Sequence, residues 1–186
     1  EFRRVLFRST MTRDSAGSGG APITEHFDVL IVGAGISGVG AAYHLSQQCP
    51  ERSYVVLDAL ETFGGTWWTH KYPGIRSDSD LYTFGYRFKP WVGPPIASAE
   101  AILEYMGEVI EDNNLAPHIR YRHKISKASW DSGTNLWTVD VKDEATGQQR
   151  RFTTNFMWMC QGYYRHSKGY TPEWKGMDRF RGRIVH

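Results

Sequence analysis

The segment from Phe27 to Asp58, FDVLIVGAGISGVGAAYHLSQQCPERSYVVLD, constrains the fold more than any other part of this sequence. It is an apolar run, a glycine-rich turn, an amphipathic run and a second apolar run ending in an acid. Phe27, Val29, Leu30, Ile31 and Val32 are nearly continuous and β-branched, as expected of a parallel strand buried on both faces. From about Ile36 to Gln48 the spacing predicts a helix, with Val39, Ala42, Tyr43 and Leu45 near one face and Pro50 ending it. Tyr54 to Leu57 predicts a second strand, closed by Asp58.

The turn reads Gly33-Ala34-Gly35-Ile36-Ser37-Gly38. In a dinucleotide fold Gly33 makes the tight turn, Gly35 lets a pyrophosphate approach the backbone, and Gly38 lets helix and strand pack closely. Free N–H groups at the helix start then face the phosphates, and Ser37 adds a hydroxyl. Asp58, about twenty residues past the last glycine, stands where an acid accepts hydrogen bonds from a ribose. Glycine-rich turns also occur for structural reasons alone. The full order of strand, turn, helix, strand and acid favours the dinucleotide reading and an α/β, Rossmann-like fold.

At 186 residues the chain suffices for one sizeable core, or for one domain and part of another. Cys49 and Cys160 form no ligand spacing and no disulfide framework, which suits a reducing compartment. The net charge of +2 comes entirely from Arg3, Arg4 and Arg8 against Glu1. No basic stripe points to nucleic acid, no apolar run has the length of a transmembrane helix, and no histidine spacing suggests a metal. A soluble, cytoplasmic protein is the expectation.

Between Gly64 and Asp78 the sequence GGTWWTHKYPGIRSD combines paired glycines, a Tyr-Pro-Gly turn and two adjacent tryptophans. That suits a loop shaped around a planar ligand, although Trp67 and Trp68 could equally be core aromatics. Gly64, Gly65, Trp67, Tyr72, Pro73, Gly74 and Asp78 match every fixed position of a signature of Baeyer–Villiger monooxygenases. The continuation IRSDSDLYTFGYRFKPW resembles the ethionamide-activating branch of those class B flavin monooxygenases. Phe180, Gly182 and His186 match the opening of that group's second fingerprint, FxGxxxHxxxW.

The resemblance covers Glu25 to His186 and implies FAD at the first nucleotide site with NADPH as reductant. It assigns Gly33, Gly35, Ser37 and Gly38 to the pyrophosphate and Asp58, where the family usually has glutamate, to the adenosine ribose. Gly65, Thr66, Trp67 and Trp68 fall along the flavin side, and Tyr82 with Asp80 on the pocket wall. Asp78 corresponds to an acid that supports a catalytic arginine further along the family's chain. Arg76 and Ser77 are candidate NADPH contacts, and the backbone of Ile125 corresponds to an adenine contact, although the residues taken alone favour a plain strand residue there. At Cys160-Gln161-Gly162 the family often has Ala-Thr-Gly, so the glycine is kept and a hydroxyl lost.

Ser98 to Asn113 predicts a packing helix with Ser98 as N-cap and Ile102, Leu103, Met106, Val109 and Ile110 at helical spacing. From Ile119 the pattern alternates, predicting an antiparallel β-meander of three strands inserted into the parallel sheet, with Phe156 to Cys160 rejoining that sheet. Residues 1–24 form a leader, Ser/Gly-rich from Thr12 to Ala21. Its first ten are either a targeting segment or, as RVLFRS suggests, a translated sequencing adapter ahead of Met11. The resemblance implies that residues 25–178 are the N-terminal part of an FAD-binding domain, incomplete here, and that 179–186 start a linker to an NADPH-binding domain. The implied reaction inserts one oxygen atom from dioxygen into a ketone, or onto sulfur or nitrogen of a small organic substrate. A general S/N-oxygenase or N-hydroxylase and a non-catalytic flavin-binding fragment stay open as alternatives. A flavin disulfide reductase lacks its redox cysteine pair here.

Overall fold

The computed structural model describes residues 23–165, 167 and 169–184. The leader up to residue 22 and the motif histidine, His186, lie outside the described residues. Thr24, assigned from sequence to the leader, is the first residue of a strand.

Three parallel strands follow from the apolar runs. β1 spans Thr24–Val32, β2 spans Tyr54–Leu57 and β6 spans Gln149–Met159. β1 lies between β2 and β6 and is parallel to both. The helix α1, Ile36–Gln48, crosses from β1 to β2 with its predicted boundaries, burying Val39, Ala42 and Leu45. On the same face lies α4, Ala99–Asp112, whose N-cap Ser98 accepts a hydrogen bond from the Ala101 N–H at 3.3 Å. Ile102, Met106 and Val109 of α4 are fully buried against Val29, Ile31 and Val56. Tyr105 shares that buried face, whereas Leu103 is half-buried at its margin.

The meander differs from expectation at its start. Ile119–Arg120 forms β3, a short strand parallel to β2, and only His123–Asp131 forms the antiparallel β4. Arg122, with φ of 57°, makes the break. A left-handed residue reverses the chain, so one alternating run yields two strands of opposite sense. β5, Leu136–Asp143, then pairs antiparallel with β4 and with β6. β6 therefore serves as the last meander strand and as a parallel strand of the main sheet.

The order β3-β2-β1-β6-β5-β4 puts β3 and β4 at opposite ends, yet only Tyr121 and Arg122 separate them. The sheet must curl to allow this. Two hydrogen bonds close the curl, His123 N–H to the Asp58 carbonyl at 2.8 Å and Arg122 N–H to the Leu60 carbonyl at 2.7 Å. Leu30, Val55, Leu57, Val139, Val141 and Phe152 fill its inside. Arg120 lies over the rings of Phe27 and Phe152 and grips Glu25 through two 2.7 Å bonds. That bidentate contact holds the Glu25 carboxyl below the ordinary glutamate range.

Two further helices are single turns, α2 at Thr66–Thr69 and α3 at Leu81–Phe84. The segment read as pure loop from Gly64 to Asp78 thus contains α2. Tandem positive-φ glycines, Gly64 and Gly65, start it at the required angle.

Candidate functional site

The site is built where β1 ends. Gly33 has φ of +101°, and a Cβ there would lie 2.7 Å from the Cys160 carbonyl oxygen. A Cβ on Gly38 would lie 1.8 Å from the Gly33 oxygen, so helix and strand could not meet. Gly35 is different. Its φ is −75° and a Cβ would find only the Gly65 Cα, at an ordinary 3.7 Å. Nothing in the fold requires glycine at position 35. Ser37, on the first turn of α1, is exposed.

The second glycine pair is laid directly on this turn. Gly64 N–H donates to the Ala34 carbonyl at 3.0 Å, and a Cβ on Gly65 would come within 3.2 Å of the Gly35 Cα. On its outer side, a Cβ on Gly64 would strike the Leu103 side chain at 2.3 Å. Two stretches separated by α1 and β2 thus converge by a backbone contact that glycine at positions 64 and 65 permits.

Asp58 is buried, and both its oxygens engage backbone. Oδ2 accepts from Ala34 N–H at 2.6 Å and Oδ1 from Leu60 N–H at 2.8 Å. The acid therefore ties the glycine turn to the end of β2, and each oxygen retains a further lone pair. Because His123 bonds the Asp58 carbonyl, β4 starts beside it, with Ile125 two residues along and its side chain against the apolar cluster inside the curled sheet.

The aromatic pair splits. Trp67 is half-buried, edge-on to Phe84 at 6.0 Å. Trp68 donates its indole N–H to Glu61 at 3.0 Å, and the Lys71 ammonium sits 3.9 Å from its ring. Thr66 is exposed at the start of α2. Asp80 caps α3 by accepting from Thr83 N–H at 2.9 Å, and the exposed Tyr82 donates its hydroxyl to the Gly93 carbonyl at 2.6 Å.

Ser77 is buried and paired with Ala97, its hydroxyl accepting from the Ala97 N–H at 3.1 Å. Its neighbours Arg76 and Asp78 are exposed, and Arg76 reaches the Gly74 carbonyl at 3.3 Å. Asp78 faces the segment after β6. The hydrogen bond and charge of Tyr163 first, then desolvation and the weaker effect of the Asp78 charge, push the Tyr164 phenol up. Phe180 folds back on its own motif glycine, since a Cβ on Gly182 would lie 2.3 Å from the Phe180 ring. Both are exposed.

Tyr86 escaped the reading of the sequence. Its hydroxyl donates to the Ile36 carbonyl at 2.5 Å, and its ring leaves 3.0 Å for a Cβ on Gly40. The available signal was Gly40 itself, because a glycine inside a helix costs about 1 kcal/mol and calls for a packing reason. Among the described residues no group of three His, Cys, Asp or Glu is placed to hold a metal, and no helix is long and apolar enough to cross a membrane.

A family model described as an NAD(P)-binding Rossmann-like domain matches residues 31–92. The chain is 48% identical over 165 residues to the FAD-containing monooxygenase EthA of Mycolicibacterium smegmatis. The chain is homologous to the FAD-containing monooxygenases. A probable FAD-binding monooxygenase, AlmA of Acinetobacter baylyi, is 42% identical over 163 residues. These matches cover 88% and 87% of this chain but 33% and 32% of those proteins, so the chain spans about a third of their length. Among solved structures, an oxidised steroid monooxygenase bound to NADP superposes with a TM-score of 0.69 at 29% identity, over 87% of this chain and 30% of that one. A closed cyclohexanone monooxygenase gives 0.69 at 25% identity, over 88% and 30%. The resemblance to Baeyer–Villiger monooxygenases read from the two motifs is borne out, as is the Rossmann-like fold.

Proposed function

We propose that residues 25–178 form the N-terminal part of an FAD-binding domain and that 179–186 begin the link to an NADPH-binding domain. The whole protein then uses NADPH and dioxygen to insert one oxygen atom into a ketone, or to place it on sulfur or nitrogen. The observation that carries this reading is Gly35, a glycine with no structural need, at the start of a helix in a chain 48% identical to an FAD-containing monooxygenase. A residue without a side chain at that point leaves the backbone open to a pyrophosphate.

FAD, when bound, supplies the oxygen chemistry. The chain's own residues bind and orient it. Gly33 and Gly38 hold the turn, and the amide groups at Gly35 and Ser37 face the pyrophosphate with the positive end of α1 behind them. Asp58 offers its remaining lone pairs to the ribose hydroxyls, and the backbone at Ile125 meets the adenine. Gly65, Thr66, Trp67 and Trp68 line the flavin side, with Tyr82 on the outer wall. The exposed carboxylate of Asp78 pairs with a catalytic arginine elsewhere in the protein. Arg76 approaches NADPH, while Ser77 anchors the backbone behind it through Ala97. Phe180, Gly182 and His186 belong to the domain link.

The test is substrate-stimulated NADPH oxidation by a protein that joins this chain to the remaining length of its relatives. With FAD supplied, a cyclic ketone or a thioether should accelerate NADPH consumption and yield an oxygenated product. The 186-residue chain alone should show none. Turnover by this chain alone would refute the division into domains; absence of flavin-dependent oxygenation in the longer protein would refute the activity.

A further inference from the structure

The Tyr86 hydroxyl donates to the carbonyl of Ile36, the first residue of α1. That carbonyl and the N–H of Ser37 belong to one planar, resonant peptide unit. A donor on the oxygen withdraws density through the C–N bond and makes the N–H on the other side a stronger donor, the polarisation seen in chains of hydrogen bonds. Ser37 N–H is one of the amides that the dinucleotide reading turns toward the pyrophosphate.

We propose that Tyr86 is a positioning residue for the anion site of α1, fixing and polarising the Ile36–Ser37 peptide from behind. This rests on the dinucleotide reading above. Several contacts hold Tyr86 to the task. Its ring leaves only 3.0 Å for a Cβ on Gly40, one turn along α1. It stacks between Phe88, 4.8 Å away, and Tyr105, 5.6 Å away. Its own N–H donates to the Tyr105 hydroxyl at 2.7 Å, which in turn donates to the Lys89 carbonyl at 2.6 Å. Tyr105 is 5% exposed on α4, so the second packing helix braces the phenol that touches the first. Burial pushes the Tyr86 phenol well above the ordinary tyrosine range, so it stays a donor across the working pH. Gly40 and Tyr86 are thereby explained together: the helix gives up a side chain to admit the ring.

The test compares wild type, Tyr86→Phe and a variant carrying 3-fluorotyrosine at position 86, a more acidic phenol of nearly the same shape. Affinities are measured for ADP, FAD and adenosine, and the Ser37 amide shift is read by NMR without ligand. Tyr86→Phe should weaken ADP and FAD by less than about 3-fold, because the bond it removes is not to the ligand and polarisation changes only a fraction of one net hydrogen bond. Adenosine, which has no phosphate, should be unaffected, the Ser37 amide should move upfield, and the 3-fluorotyrosine protein should bind ADP and FAD more tightly than wild type with its Ser37 amide moved downfield. Equal loss for ADP and adenosine, or an unmoved Ser37 amide, would reduce Tyr86 to packing and overturn the proposal. If Tyr86→Phe fails to fold, the fluorotyrosine protein decides: an affinity and amide shift unchanged from wild type overturn it. If wild type binds neither ADP nor FAD, the dinucleotide reading fails, and this proposal with it.

Discussion

Gly35 and Gly38 stand three residues apart in one turn, and different constraints keep them glycine. At Gly38 a Cβ would lie 1.8 Å from a backbone oxygen that cannot retreat, because that oxygen belongs to the Gly33 turn itself. At Gly35 the backbone is extended and the space is open. One glycine is required by the fold and the other by whatever approaches the fold. A pattern such as GxGxxG records both kinds without distinguishing them.

Substitution separates them. Gly38→Ala should have the largest effect in the molecule, a destabilisation of about 3 kcal/mol or more, or no folded protein, read by circular dichroism melting. A folded Gly38→Ala with wild-type melting would break the contrast at once.

Gly40 is a third kind, held by a side chain rather than by backbone or ligand. Gly40→Ala gains about 1 kcal/mol of helix propensity but forces the braced Tyr86 ring aside. The net should be a loss of about 1–2 kcal/mol in wild type, consistent with mild overpacking. In a Tyr86→Ala background the same change should become stabilising. That reversal of sign, measured by urea denaturation, sharpens the comparison.

Away from the turn the effects shrink. Ser98→Ala removes the cap of α4 and should cost about 1 kcal/mol, with α4 and the Tyr105 brace loosened together. Glu25→Gln should cost less, about 0–1 kcal/mol, because the Arg120 pair is partly exposed. Its pH dependence has a definite sign. The folded Glu25 carboxyl titrates below its unfolded value, so its stabilisation is complete above about pH 4.3 and disappears as pH falls further. The gap between wild type and Glu25→Gln should therefore close in acid; a gap that widens below that pH would contradict the ion pair.

The parts legible in the sequence are those governed by local pattern. β1, α1, β2 and the Ser98 cap follow from apolar periodicity and end signals, which a single chain segment contains in full. The convergence of Gly65 on Gly35 was not legible, since nothing local links residues thirty positions apart and family resemblance assigned the two only to different parts of one cofactor. The split at Tyr121–Arg122 was hidden because alternation continues across it while the backbone reverses. Asp58 was readable as an acid at a strand end, but its two backbone amide partners depend on how closely Ala34 and Leu60 approach, which depends on the tertiary fold. Tyr86 left only the indirect mark of Gly40, for the same reason: its hydrogen-bond partner is a carbonyl, and carbonyls leave no mark on a sequence.

The central claim is that Gly35 is glycine for a cofactor. Gly35→Ala in this chain should leave the melting temperature near wild type, because its Cβ fits at 3.7 Å from its nearest neighbour, while FAD affinity measured by flavin fluorescence titration falls at least about tenfold, or about 1.4 kcal/mol. FAD bound as tightly by Gly35→Ala as by wild type would contradict the account.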